Sequence, residues 1–349
     1  MTAVLGSPAP TDGPITEIRC DLNESVHPPL PSVLAALRAG VGAENRYPPM
    51  RPDALRGIIA DHLDVAAEQV TVGAGATAVA VAILADCASR ARRQGVPDAR
   101  IATPVPTFDG FGMIADMLGL RLDPTPLTSD GGPDLDALAD CAGPRTTAVI
   151  VCSPHNPTGA VVGETALRRF LDTIPPEVTV ILDQAYVEYS TDPPDVRSMV
   201  EDHPNLVVLR TFSKAYGLAG LRVGYAVGSR WTIPAARAHE VPFSVGAAAH
   251  LAVPIALGAQ RELAERVRAT SAERDRLTTM LRAIGCHVLP GQANFVYLPG
   301  SDGLAIGRML RTAGVVTREF AEHGCRVTVG DRHTTDHLMT ALRSAALLT

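Results

Sequence analysis

Lysine occurs once in these 349 residues, as Lys214, although lysine and arginine together number 31. Acidic residues outnumber them at 37, for a net charge of −6. That balance offers no basic field for nucleic acid, and no run of lysine or arginine marks a membrane-binding face. The six cysteines (Cys20, Cys87, Cys141, Cys152, Cys286, Cys325) form no C-x-x-C pair, which argues against a zinc ribbon and against a disulfide scaffold. They are expected to be reduced. No apolar run is long enough to span a bilayer. The start, MTAVLGSPAPTDGP, has neither the charged head nor the apolar core of a signal peptide, so residues 1–18 are expected to be a disordered tail and the protein cytoplasmic.

What is present is an ordinary globular composition, 46% hydrophobic and 19% charged, in a chain long enough for two domains. Apolar runs at 69–73, 100–104, 146–154, 178–183, 205–211 and 222–228 alternate with segments of helical spacing, such as AVAVAILADCASRARRQ. Uniformly apolar strands separated by helices imply a mainly parallel sheet covered on both faces, a doubly wound α/β domain over 46–242. After about residue 240 the pattern changes. QRELAERVRATSAERDRLTTMLRAIG (260–285) reads as a surface helix, followed by the strand-like HVLPGQANFVYLP and CRVTVG and a closing helix, HLMTALRSAALL. A smaller α+β domain is expected over 243–349, joined by the segment 19–45.

Ligands of open α/β sheets bind beyond the carboxyl ends of the strands. Four such ends carry unusual residues. GAGATA (73–78) follows QVTV and fits G-x-G-x-x-G/A. A dinucleotide would need an acidic residue ending the next strand, and RIATP ends in threonine and proline. The turn is then either structural or a monophosphate cradle. Asp183, ending VTVIL, is either a cap or partner for arginine, or a fixed carboxylate that keeps a cationic ring nitrogen protonated. Asn156 in SPHNPTG reads as a turn residue, and Phe108 in PTFDGF as a core aromatic, unless a ligand uses them. Lys214 in TFSK follows LVVLR. A lysine whose ammonium is destabilised by burial and a neighbouring cation, here Arg222, becomes a nucleophile able to form an imine. Thr211 and Ser213 add hydroxyl donors suited to a phosphate. A lysine imine, a carboxylate on a pyridinium nitrogen and a phosphate cradle together point to pyridoxal 5'-phosphate.

NRYP (45–48), SPHNPTG, DQAYVEY, TFSKAYGLAGLRVGY, QANFVYL and CRVTVG stand in the order found in the fold-type I pyridoxal-phosphate aminotransferases. Over nearly its whole length the chain resembles that class I/II group, and within it the histidinol-phosphate and aromatic aminotransferases of amino-acid biosynthesis. The resemblance implies that Lys214 bonds the cofactor and shuttles a proton at the substrate Cα. It assigns Asp183 to the pyridinium nitrogen, Tyr186 and Asn156 to the phenolic oxygen, and Phe108 to the ring face. Gly75, Ala76, Thr77, Thr211, Ser213 and Arg222 would bind phosphate. Tyr47 of NRYP would reach the phosphate of a neighbouring subunit, implying a homodimer with shared active sites. Arg326 would take the carboxylate or phosphate of an amino donor, assisted by Arg318, with Asn294 and Asn23 shaping that end, and a 2-oxo acid would be the acceptor.

Three departures accompany the resemblance. Gln184 stands where the group has glutamate, Ala76 where it often has serine, and Ser25, Val26 and His27 where an aromatic wall is usual. The last opens the alternative of a pyridoxal-phosphate enzyme doing another Cα reaction: decarboxylation, elimination or oxidation. A silent binding protein on the same scaffold is the reading from another class, and the complete lysine, aspartate, tyrosine and arginine set opposes it. His333 and His337, beside Asp331 and Asp336, have the spacing of a metal pair, but Thr334 stands where a zincin glutamate would, so a solvated helix cap is expected and no metal.

Overall fold

The computed structural model describes residues 17–42 and 45–346. The expected tail therefore lies outside the described residues as far as residue 16. The strands are β1 Ile18–Cys20, β2 Val70–Gly73, β3 Arg100–Pro104, β4 Arg121–Thr125, β5 Thr146–Cys152, β6 Thr179–Asp183, β7 Leu206–Thr211, β8 Gly224–Gly228, β9 Phe295–Pro299, β10 Val315–Phe320 and β11 Gly324–Thr328.

Seven of them form one sheet in the order β2-β8-β7-β6-β5-β3-β4. Strands β3 to β7 run parallel, while β8 is antiparallel to both β7 and β2. Val149, Val151, Val180, Leu182 and Val208 face one core, and Ile150, Ile181, Val207 and Leu209 the other. Both faces are covered by helices, which is why these strands read as unbroken apolar runs rather than alternating ones. On one face lies the helix Ala76–Arg93, which buries Val79, Ala80, Ile83 and Leu84. The edge strand β4 was not legible as a strand. It carries Pro124, which an edge tolerates because no outer neighbour needs its missing N–H.

The smaller sheet has the order β1-β10-β11-β9, with β1 parallel to β10 and the other pairs antiparallel. Only the second half of HVLPGQANFVYLP is strand, because Gly291 there packs against the backbone of Gly159. Strand β1 brings the N-terminal segment to this sheet. The helix Pro31–Ala39 that follows does not stay there, since Leu30 and Val33 lie in the large core.

The helix Ala247–Gly258 is also in the large core, through Ala249, Ala252, Val253 and Ala256. The chain thus passes between cores within the helix Gln260–Ala283 rather than at residue 243: Leu263 belongs to the large core, Leu277 and Leu281 to the small one. Among the described residues no helix is long and apolar enough to cross a membrane.

Candidate active site

The carboxyl ends of the parallel strands open into a cleft of about 610 Å³, closed on its far side by the small sheet and the segment after β1. Its lining includes Ala76, Thr77, Phe108, Asn156, Asp183, Tyr186, Thr211, Ser213, Lys214, Arg222, Arg318, Arg326 and Asn23. Residues far apart in sequence meet here because Asp183 and Thr211 end strands of the large sheet, Phe108, Asn156, Ser213 and Lys214 lie shortly past strand ends, and Arg318 and Arg326 project from the small sheet across the gap.

Lys214 lies three residues beyond β7, half-buried. Its Nζ donates to the carbonyls of Leu22 and Asn23, both at 3.1 Å, and stands 5.8 Å from the centre of the Tyr186 ring. Burial first, and then the Arg326 charge, depress its pKa to about 8. About a tenth of the amine is then neutral at pH 7.

Asp183 ends β6 and is 9% exposed. One carboxylate oxygen, Oδ1, accepts from Ala185 N at 2.9 Å, and the Cys152 thiol lies 4.0 Å from Oδ2. Burial pushes the carboxyl up to about 6, with the Ala185 hydrogen bond and Lys214 opposing. A buried acid with one oxygen so weakly satisfied calls for a cationic N–H partner. Burial likewise pushes the Tyr186 phenol up to about 12.

The turn at Gly75 has φ +86, and a Cβ there would come within 2.5 Å of Arg222 Nη2, so only glycine fits under that guanidinium. No side chain caps the helix that starts at Ala76. Its first N–H groups therefore point at the cleft beside Arg222 and the hydroxyls of Thr211 and Ser213, which lie 3.0 Å apart. Uncapped N–H groups, a guanidinium and two hydroxyls form a donor set for a phosphate monoester. Together with Lys214 and Asp183, the set fits pyridoxal 5'-phosphate.

At the small-sheet end Arg326 is 6% exposed, flanked by the rings of Phe295 and Phe320 at 5.5 and 5.7 Å. It donates to Asn156 Oδ1 and to the Asp21 carbonyl, both neutral groups. Arg318 is ion-paired with Asp109.

Three expected residues sit elsewhere or do more than expected. Tyr47 is 87% exposed, packed on Phe243 and outside this cleft. Asn294 stands behind the cleft, donating to the Asn23 carbonyl at 3.0 Å. Asn23 is a hub: its Nδ2 donates to Tyr186 Oη at 2.8 Å, and its Oδ1 accepts from Thr328 Oγ1 at 3.0 Å. Sequence reasoning missed Asp21, Cys152 and Asp109. Cys152 could have been found, since it ends a strand beside SPHNPTG. Asp331 caps the closing helix through Thr334 N at 2.8 Å, and no cluster of metal-ligating side chains occurs among the described residues.

The family described as aminotransferase class I and II matches residues 20–342. An aromatic amino acid aminotransferase of Nocardia farcinica is 40% identical over 316 residues, 89% of this chain and 87% of the relative. One of Streptomyces coelicolor is 40% identical over 334 residues, 95% and 91% of the two chains. Among solved structures, the histidinol-phosphate aminotransferase of Sinorhizobium meliloti in complex with pyridoxal-5'-phosphate aligns with a TM-score of 0.83 at 26% identity, covering 94% of this chain and 91% of that one.

Proposed function

The chain belongs to the class I and II aminotransferases, enzymes dependent on pyridoxal 5'-phosphate, and from that premise we propose that it exchanges the amino group between aromatic 2-amino acids and 2-oxo acids. The observation that carries the substrate reading is the state of the two arginines. Arg326 is buried with neutral hydrogen-bond partners, whereas Arg318 is paired with Asp109. One uncompensated cation suits the single α-carboxylate of an amino acid better than a phosphate dianion. The aromatic relatives support the same choice.

In this reading the N–H groups at the start of the helix Ala76–Arg93, with Thr77, Thr211, Ser213 and Arg222, hold the cofactor phosphate. Asp183 holds the ring nitrogen, Tyr186 and Asn156 the phenolic oxygen, and Phe108 the ring face. The bound cofactor supplies an aldehyde that takes up the amino group and a conjugated ring that accepts the electron pair left at Cα. Arg326 orients the substrate by its carboxylate. Lys214 Nζ, with its pKa brought to about 8, removes the Cα proton and delivers it at the other end of the amino-group shift; a base tuned this near physiological pH is suited to both halves of the transfer. Leu22 and Asn23 offer carbonyls that receive the displaced ammonium.

Tyr47 is exposed and is not part of its own cleft's lining, which supports a homodimer in which it serves the phosphate site of a second copy. A monomer in sedimentation analysis would remove that reading. Six unpaired cysteines support a cytoplasmic location, which cell fractionation tests. The substrate reading is tested by single-turnover kinetics with phenylalanine, tyrosine and histidinol phosphate. We expect kcat/KM to favour the two aromatic acids by at least about tenfold, the worth of one matched charge; a preference for histidinol phosphate would reverse the assignment.

A further inference from the structure

Two arginines face each other across β10 and β11. Arg318 and Arg326 are register partners of the antiparallel pair, so their side chains leave one face of the sheet as neighbours, about 5 Å apart at Cβ. Both guanidiniums lie against the same ring, Phe320, at 5.6 and 5.7 Å. Unpaired, they would form a doubly charged anion site at the mouth of the cleft, and like charges placed so oppose each other.

Asp109 prevents this. It lies five residues after β3 on the large body, reaches across to ion-pair with Arg318, and lines the cleft with it. The pair is open to solvent, at 46% and 56% exposure. Exposed pairs of this kind hold little folding energy. The consequence lies in the charge the cleft presents.

We propose that Asp109 is a specificity-determining residue: by cancelling Arg318 it leaves Arg326 as the one of these two arginines with no carboxylate partner among the described residues, and so turns away amino compounds that carry a second anionic group. The proposal rests on the reading above that Arg326 receives the α-carboxylate. A short dicarboxylic amino acid that seats its first carboxylate on Arg326 brings its second to Arg318, where Asp109 already stands. Repulsion from Asp109 is added to the loss of an attractive partner. A neutral side chain meets only the ring of Phe320 and the paired guanidinium.

Glutamate and glutamine have nearly the same shape and differ by that one charge, so their ratio reads the effect directly. The holoenzyme, its Asp109→Asn variant and the double variant Asp109→Asn with Arg318→Gln are compared by single-turnover kcat/KM and by competitive inhibition against phenylalanine. Asp109→Asn should raise the glutamate-to-glutamine ratio about five- to tenfold, the effect of one unit charge at an exposed site. The gain should disappear in the double variant and shrink as salt is added. An unchanged ratio in both readouts, an equal gain for glutamine, or a gain that survives loss of Arg318 would overturn the proposal. A wild type inert with phenylalanine that still shows the ratio shift would sink the aromatic reading and leave the role of Asp109 standing.

Discussion

Asn23 is the residue whose loss the structure prices most fully. It sits at φ +54, 1% exposed, between the small sheet and the large body. Replacement by alanine removes the donor to the buried Tyr186 phenol and the acceptor for the Thr328 hydroxyl. Two buried hydrogen bonds of this kind are worth about 2 kcal/mol together. Alanine also tolerates a left-handed backbone less well than asparagine, which adds about 1 kcal/mol. Asn23→Ala should therefore cost about 3 kcal/mol and lower the Tm of the apoprotein by about 6 °C, at roughly 2 °C per kcal/mol for a chain of this size. Asn23→Gly loses the same hydrogen bonds without the backbone penalty, so it should melt above Asn23→Ala by about 2 °C. In a double-mutant cycle with Tyr186→Phe, the coupling should be about 1 kcal/mol, because the phenol and the amide share one bond. Scanning calorimetry on the wild type, Asn23→Ala, Asn23→Gly, Tyr186→Phe and the Asn23→Ala/Tyr186→Phe double variant measures all of this. Asn23→Ala within a degree of wild type, or Asn23→Gly melting below Asn23→Ala, would refute the reasoning.

Three further outcomes follow from the same geometry. Asp183 is raised from 3.8 to about 6 in the folded chain. Its contribution to apoprotein stability is thus full below 3.8 and lost as pH rises through 6, so Asp183→Asn should match wild type near pH 4 and exceed it by about 3 kcal/mol at pH 8. A wild-type advantage in apoprotein Tm at pH 8 would contradict this. Lys214 must be neutral to attack an aldehyde, so the rate of cofactor loading should rise with pH to a midpoint near its pKa of about 8. A stopped-flow midpoint above pH 10 would show an unperturbed amine. Gly224→Ala would drive a Cβ into the backbone of Gly75 and Ala76 and separate β8 from the start of the helix. Cofactor affinity by fluorescence titration should fall at least about tenfold, and an unchanged Kd would mean that the cradle does not hold the phosphate.

The site was legible wherever it hangs from a strand. Buried parallel strands force continuous apolar runs, and the residues that break those runs at their carboxyl ends, Gly75, Asn156, Asp183 and Lys214, stand out against them. Direction is not written in the same way. Strand β8 is buried along its whole length, between β2 and β7, and so reads like its parallel neighbours although it runs against them. Strand β10 was missed because VVTREF mixes buried and exposed positions and includes two charges. The roles of Asn23 and Asp109 depend on partners far away in sequence, Thr328 at 305 residues and Arg318 at 209. Local pattern carries no record of such pairings. Motif resemblance located Asn23 by position, and only the folded chain shows that it works through Tyr186 and Thr328.

A single lysine allows an unusually direct test of the central claim, that Lys214 is the residue that bonds the cofactor. Borohydride reduction of the protein loaded with pyridoxal 5'-phosphate, followed by peptide mass spectrometry, fixes the cofactor to whichever amine holds it. The account predicts one equivalent per chain on the peptide containing Lys214, and none in Lys214→Ala. Incorporation at the N-terminal amine instead, or none anywhere in the loaded wild type, would contradict it.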